Sequence, residues 1–206
     1  MEFLPIILAI LMVDLLALVS PGPNFVLVVS SAVSKSRRDA LLTGCGIATG
    51  SFMWASAAAL GAASILDALP RVGLALKIAG IVYLMYLGVR LLRSQGFTLS
   101  PDHSNQKGHG LDGFWQGFFV NMTNPKSAAY YASVFAAFLT QEMPVWVLWV
   151  LILTISAMSL IWHAFLAIGL STAAVRARYI KVSKHVDRLC GGVLICLGLR
   201  LAWDSR

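Results

Sequence analysis

Charge is what this chain has least of. Charged residues make up 12% of its 206 positions and hydrophobic residues 58%, where soluble domains carry about 25% charged residues. A chain this apolar could not cover a water-facing surface, which excludes a soluble globular domain. Cysteine is also scarce. Cys45, Cys190 and Cys196 lie in apolar segments without a C-x-x-C pair, which excludes a redox or zinc motif and leaves buried, inert thiols. The sequence has no nucleotide-binding loop, no H-E-x-x-H and no G-x-S-x-G, so neither a cofactor, a metal nor an enzymatic activity is expected. The histidines are scattered, and His103 and His109 in a polar loop read as solvated. The N-terminus lacks the marks of a signal peptide. Glu2 stands where a basic region belongs, Asp14 interrupts the apolar stretch, and there is no clear A-x-A site, so the first segment is expected to be retained.

What the chain has is long apolar runs. A bilayer core takes about 20 apolar residues. Six runs qualify as spans: Phe3–Val33, Ala40–Leu66, Val72–Leu92, Leu111–Leu139, Val145–Leu170 and Leu189–Trp203. The last is short, so its helix is expected to begin near Ile180, with Lys181, Lys184 and Arg188 snorkelling to the interface. Glycine (17) and aromatics (10%) suit packed transmembrane helices. Trp146, Trp149 and Trp203 near span ends read as interfacial anchors. The fold class is therefore all-α, a polytopic membrane protein.

Two of the spans are interrupted. The first breaks at SPGPN, Ser20 to Asn24, and the fourth at NMTNPK, Asn121 to Lys126. Proline removes a backbone donor and clashes with the preceding turn. In lipid, freed backbone groups survive only when buried in protein or lining a wet cavity. Paired broken spans in two halves of a chain point to a transporter's substrate site. The halves also share a weaker likeness. Leu84, Leu87, Gly88, Arg90 and Leu91 align with Leu194, Leu197, Gly198, Arg200 and Leu201. Three spans per half is an odd number, so the second half must sit inverted. The expected layout is one three-helix repeat over 1–92, a linker over 93–110 and a second, inverted repeat over 111–206, each repeat with a broken first helix.

Orientation follows the basic residues. Lys35, Arg37, Arg38, Arg90, Arg93, Lys107, Arg176, Arg178, Lys181, Lys184 and Arg188 fall on one side, and only Arg71, Lys77, Arg200 and Arg206 on the other. The richer side, including loop 93–110, is expected to be cytoplasmic, with both termini outside. The net charge of +7 then reflects loops facing anionic lipid rather than a nucleic-acid surface.

SPGPN, the basic turn SKSRRD, the glycine-rich second helix GCGIATG and NPK opening the second half together resemble the LysE/RhtB family of amino-acid exporters. The likeness runs along nearly the whole chain and is closest, over Val13 to Gly50, to the threonine and homoserine efflux branch. The resemblance implies export of small neutral amino acids or their derivatives across a bacterial inner membrane, driven by the proton gradient. Many members carry Asp directly after PGP. Here Asn24 stands instead, which supplies no titrating carboxylate at that point.

Asp14 is the only acidic residue deep in a span. It lies about 16 Å down the first helix, near the midplane. A carboxylate there costs about 2.5–3.5 kcal/mol, so it should face a partner or a cavity. It is the candidate proton-coupling residue or ammonium ligand, against a structural role. His163 is the alternative proton carrier. Lys126 is the matching cation of the second half. It could attract a substrate carboxylate, pair with Asp14, or brace the broken helix by donating to freed carbonyls. Asn24 and Asn124, with Asn121 nearby, could bind both ends of an amino acid or simply cap the new helices. Pro21, Gly22 and Pro23 bring backbone and a helix N-terminus to the same place. Gly46 and Gly50, at G-x-x-x-G spacing, are expected to serve close helix packing.

The expected function is a secondary transporter exchanging a small neutral amino acid for protons. Its partners would be the amino acid, protons and the bilayer, and assembly with further copies is left open. The alternative is a channel-like flux protein on the same scaffold, which would show flux independent of protons. A membrane-embedded enzyme would need clustered catalytic groups at one interface, and the spans hold only sparse polar residues.

Overall fold

The computed structural model describes residues 3–68, 70–96, 111–139 and 143–204. Among them are eight helices and no strand: α1 (Leu4–Val19), α2 (Pro23–Ser34), α3 (Arg37–Ala68), α4 (Pro70–Leu92), α5 (Asp112–Thr123), α6 (Pro125–Phe138), α7 (Val145–Gly169) and α8 (Ala173–Asp204). Most of the expected linker, with His103, Lys107 and His109, lies outside the described residues, as do Glu2 and Arg206.

Proline sets both interruptions. A residue before proline is pushed out of the α region. Asn124, before Pro125, accordingly has φ −76° and ψ 109°, and Ser20, before Pro21, has φ −68° and ψ 121°. Each new helix then restarts with proline in its first turn, where the missing N–H is not needed. The first break bends the chain by 50°.

Length and apolarity qualify α3, α4 and α7 as membrane-crossing helices, with bent α1 plus α2 as a fourth span. That makes the chain a polytopic membrane protein but does not by itself carry the expected six spans. α5 and α6 have 12 and 14 residues, each short of the length a bilayer needs. α8 is long, but its first half is crowded with charge. It begins at Ala173, earlier than expected, because no glycine or proline intervenes before Gly191 to stop a helix. Large apolar side chains cover the outer surface, among them Leu8, Ile161 and Phe165, as a lipid-facing skin requires and a water-facing one does not tolerate. Trp146, Trp149 and Trp203 are all exposed near helix ends.

α3 is the hub, packed along α5 and α7, while α4 packs along α8 and α6. The α3–α5 seam is built on absent side chains. A Cβ on Gly46 would collide with the Phe114 carbonyl, and one on Gly117 with the Thr43 carbonyl. Only bare backbone allows the two helices to approach this closely. The aligned glycines Gly88 and Gly198 lie in one seam between α4 and α8, against Ile195 and Met85 respectively. The largest core cluster joins both halves, with Ile10 and Val13 of α1, Leu84 of α4, Phe135 of α6, Leu151 of α7 and Leu194 of α8. This packing holds the two breaks face to face.

Candidate functional site

The breaks meet at a small cavity. α1 brings Asp14 and Ser20. The first break brings Gly22, Pro23 and Asn24. α6 and its cap bring Asn124, Lys126, Ser127, Tyr130 and Tyr131, and α7 brings His163. The two asparagines, 100 positions apart in sequence, thus line one space.

Asp14 is 1% exposed. Its Oδ1 accepts a hydrogen bond from the Tyr130 hydroxyl at 3.3 Å, and its Oδ2 has no partner. Neither oxygen is hydrogen-bonded to Lys126, so the direct pairing that the sequence allowed is not formed. A half-satisfied carboxylate in apolar surroundings is a strong acceptor for a donor that enters the cavity. The Lys126 ammonium lies against Gly22: a Cβ on that glycine would sit 3.3 Å from Nζ.

The two breaks end differently. At the second, the Asn124 side chain accepts from the Lys126 backbone N–H at 2.9 Å and caps α6. Asn121, fully buried, donates from Nδ2 to the Ile47 carbonyl at 2.7 Å and to Ser51 Oγ at 3.0 Å. That ties the end of α5 to α3. Its Cβ and amide fill the space beside Gly50, and Asn121 is not among the cavity's lining residues. At the first break, the N-cap position is Gly22, with no side-chain cap. Asn24 lies inside the first turn of α2, and its Oδ1 is buried without a partner. With Pro23 at its first position, α2 starts at the cavity wall without a side-chain cap, and the Val26 N–H donates to the Gly22 carbonyl at 2.9 Å. Pro21 lines a neighbouring, wider cavity rather than this one.

His163 Nδ1 lies 2.7 Å from the Ser159 carbonyl. A carbonyl only accepts, so Nδ1 carries the hydrogen and a neutral ring keeps its Nε2 lone pair free. Ser159 and Ser51 are 3.2 Å apart, so a polar string runs from Asn121 through Ser51 and Ser159 to His163. Trp54 also donates to the Asn121 carbonyl, at 3.3 Å.

Tyr130, Tyr131, Ser20 and Ser127 were not singled out by sequence reasoning, and nothing in a hydroxyl residue's spacing would have marked them. Asp187 was missed too. It is 1% exposed on α8, within the basic run Lys181 to Arg188, where a carboxylate reads as one more solvated charge. No group of histidine, cysteine, aspartate or glutamate side chains able to hold a metal ion occurs among the described residues.

The family model described as LysE type translocator matches residues 15–205. A threonine efflux protein of Salmonella typhi is 30% identical over 194 residues, covering 92% of this chain and 94% of the relative. A threonine efflux protein of Escherichia coli (strain K12) is 28% identical over 201 residues, covering 96% and 98%. The uncharacterized membrane protein YahN of the same organism is 26% identical over 191 residues, covering 90% and 84%. No solved structure matches the chain.

Proposed function

The chain belongs to the LysE type translocators, a transporter and not an enzyme, and from that premise we propose that it exports a small neutral amino acid of the threonine and homoserine kind in exchange for protons. Relatives named threonine efflux proteins support amino-acid export. One observation carries the finer reading: an unpaired carboxylate oxygen, a lysine and a helix N-terminus without a side-chain cap converge on one cavity.

That set is complementary to a zwitterion. The ammonium, with three donors, meets Asp14 Oδ2. The carboxylate meets the Lys126 ammonium, with the positive end of the α2 dipole beside it. A side-chain hydroxyl finds Asn24 Oδ1 and Ser127. Asp14 exchanges its proton for the substrate ammonium, because a buried site does not hold both. Asn124 and Asn121 hold the second break in place. Repeats over 1–92 and 111–206 sit inverted about the cavity, joined by a cytoplasmic linker over 93–110. Rocking of one repeat against the other exposes the site alternately to each side. The protein resides in a bacterial inner membrane with both termini outside.

The test is transport by the purified protein in liposomes, with a panel of amino acids and with or without an imposed pH gradient. Gradient-driven accumulation of L-threonine or L-homoserine over cationic and bulky amino acids is expected. Flux indifferent to the pH gradient would replace the exchanger with a channel, and flux of no amino acid would end the reading.

A further inference from the structure

Beside this cavity lies a wider one between the first break, α4, α6 and α8. Ser20, Gly22, Pro23, Asn124 and Lys126 line both. The buried polar side chain peculiar to the wider cavity is Asp187. Its Oδ2 accepts from the Ser94 hydroxyl at 2.5 Å, and Ser94 Oγ in turn accepts from the Gly96 N–H at 3.0 Å. Its Oδ1 has no partner. The Ser20 hydroxyl is close enough to act on the carboxylate, though neither it nor Oδ1 makes a well-formed hydrogen bond. Both buried oxygens keep lone pairs for an entering donor.

The rest of the wall says which donor. Lys126, Arg90 and Arg93 line the same cavity. Three cations against one carboxylate repel a bare cation or a cationic amino acid, whereas a zwitterion satisfies both signs. An ammonium has three N–H bonds, enough to reach Asp187 and Ser20 together.

We propose that Asp187 and Ser20 form an entry station for the ammonium group of a zwitterionic amino acid, with Lys126 holding its carboxylate. Lys126 then keeps the carboxylate while the ammonium passes from Asp187 to Asp14. This rests on the exporter reading above, and on the orientation that puts Arg90, Arg93 and Ser94 on the cytoplasmic side. It assigns the substrate two successive positions that share one lysine, and it gives α8 a part in binding.

The experiment uses the full chain without its native cysteines, carrying Val89→Cys as a reporter in the wall of the wider cavity. The reporter is labelled in inside-out vesicles with a charged, water-soluble thiol reagent. Export of L-threonine by the same preparation is measured first, and its absence ends both the exporter reading and the station. With export intact in the reporter protein, L-threonine should still slow labelling when Asp14→Asn weakens the deeper site, and N-acetyl-L-threonine, which lacks the ammonium, should not. Adding Asp187→Asn should raise the L-threonine concentration needed for half-protection by about tenfold or more, the size of a lost charge-assisted hydrogen bond. Ser94→Ala, which removes only the hydroxyl that ties Asp187 to the end of α4, should leave protection in place. Protection already lost in Asp14→Asn would show that no separate station exists. Unchanged protection in Asp187→Asn would put the ammonium elsewhere. Loss in Ser94→Ala equal to that in Asp187→Asn, with both proteins eluting as folded, would reduce Asp187 to a structural tie. Labelling only from the outer face would make this an exit, overturning the entry assignment.

Discussion

The two breaks are made by the same residue and finished in different ways. The second spans a single extended residue, Asn124, whose side chain caps the next helix, and the preceding turn is clamped to α3 through Asn121. The first leaves Gly22 at the cap with no side chain to offer, bends the chain by 50°, and keeps Asn24 Oδ1 and Asp14 Oδ2 without partners. The second break is capped and clamped from within the protein, with Asn121 Oδ1 its one unpartnered side-chain oxygen among the described residues, while the first leaves Ser20 Oγ and Asn24 Oδ1 to be satisfied by what enters. Buried polar groups that find no protein partner are rare, and several at one cavity mark a place where a ligand completes the structure. On this account the first break binds and the asparagines of the second brace, while Lys126 beyond them reaches into the site.

The comparison can be broken most sharply at Asp14. Asp14→Asn should abolish uphill, gradient-driven export while sparing part of the downhill exchange, because an amide accepts the substrate ammonium weakly and cannot cycle a proton. Export against a gradient and counterflow, measured on the same liposomes, separate the two. Uphill export at the wild-type rate would remove Asp14 from coupling and bring His163 forward.

At the braced break the expected loss is in stability. Asn121→Ala removes two hydrogen bonds to α3 and empties the space beside Gly50, so thermal unfolding in detergent should show a loss of about 2–3 kcal/mol. Melting at the wild-type temperature, together with weakened L-threonine binding, would make Asn121 a ligand rather than a clamp.

A smaller effect is expected at the cap. Asn124→Ala should cost about 1 kcal/mol of stability, the usual worth of an N-cap. Asn124→Ser and Asn124→Asp can cap equally well and should restore the melting temperature. Failure of both to do so would mean that the amide does more than cap.

Much of this was readable in the sequence, for reasons that differ by residue. The helix limits at Ser20 and Asn124 follow from proline chemistry, which is local, and so were visible. The division of labour between the asparagines was half visible. Asn124 precedes Pro125 and so falls at the N-cap, whereas Asn24 follows Pro23 and falls inside the helix, where its side chain cannot cap. That Asn121 turns toward α3 was not visible, because it depends on Gly50 leaving room for it. Asp187 was hidden for a similar reason. Its burial comes from packing of α8 on α4, and from Ser94, 93 positions away, while its neighbours in the chain are basic and exposed. The start of α8 at Ala173 was missed because hydropathy tracks the lipid and not the helix.

The most direct measurement is a titration of purified protein with L-threonine in two variants, each paired with a thermal melt. Asn24→Ala should weaken binding by about 1–2 kcal/mol, the worth of a hydrogen bond made only with ligand, and leave the melting temperature of the empty protein nearly unchanged. Asn124→Ala should lower the melting temperature and weaken binding less than Asn24→Ala does. If Asn24→Ala binds as tightly as the wild type while Asn124→Ala does not, the roles of the two breaks are reversed and the account is wrong.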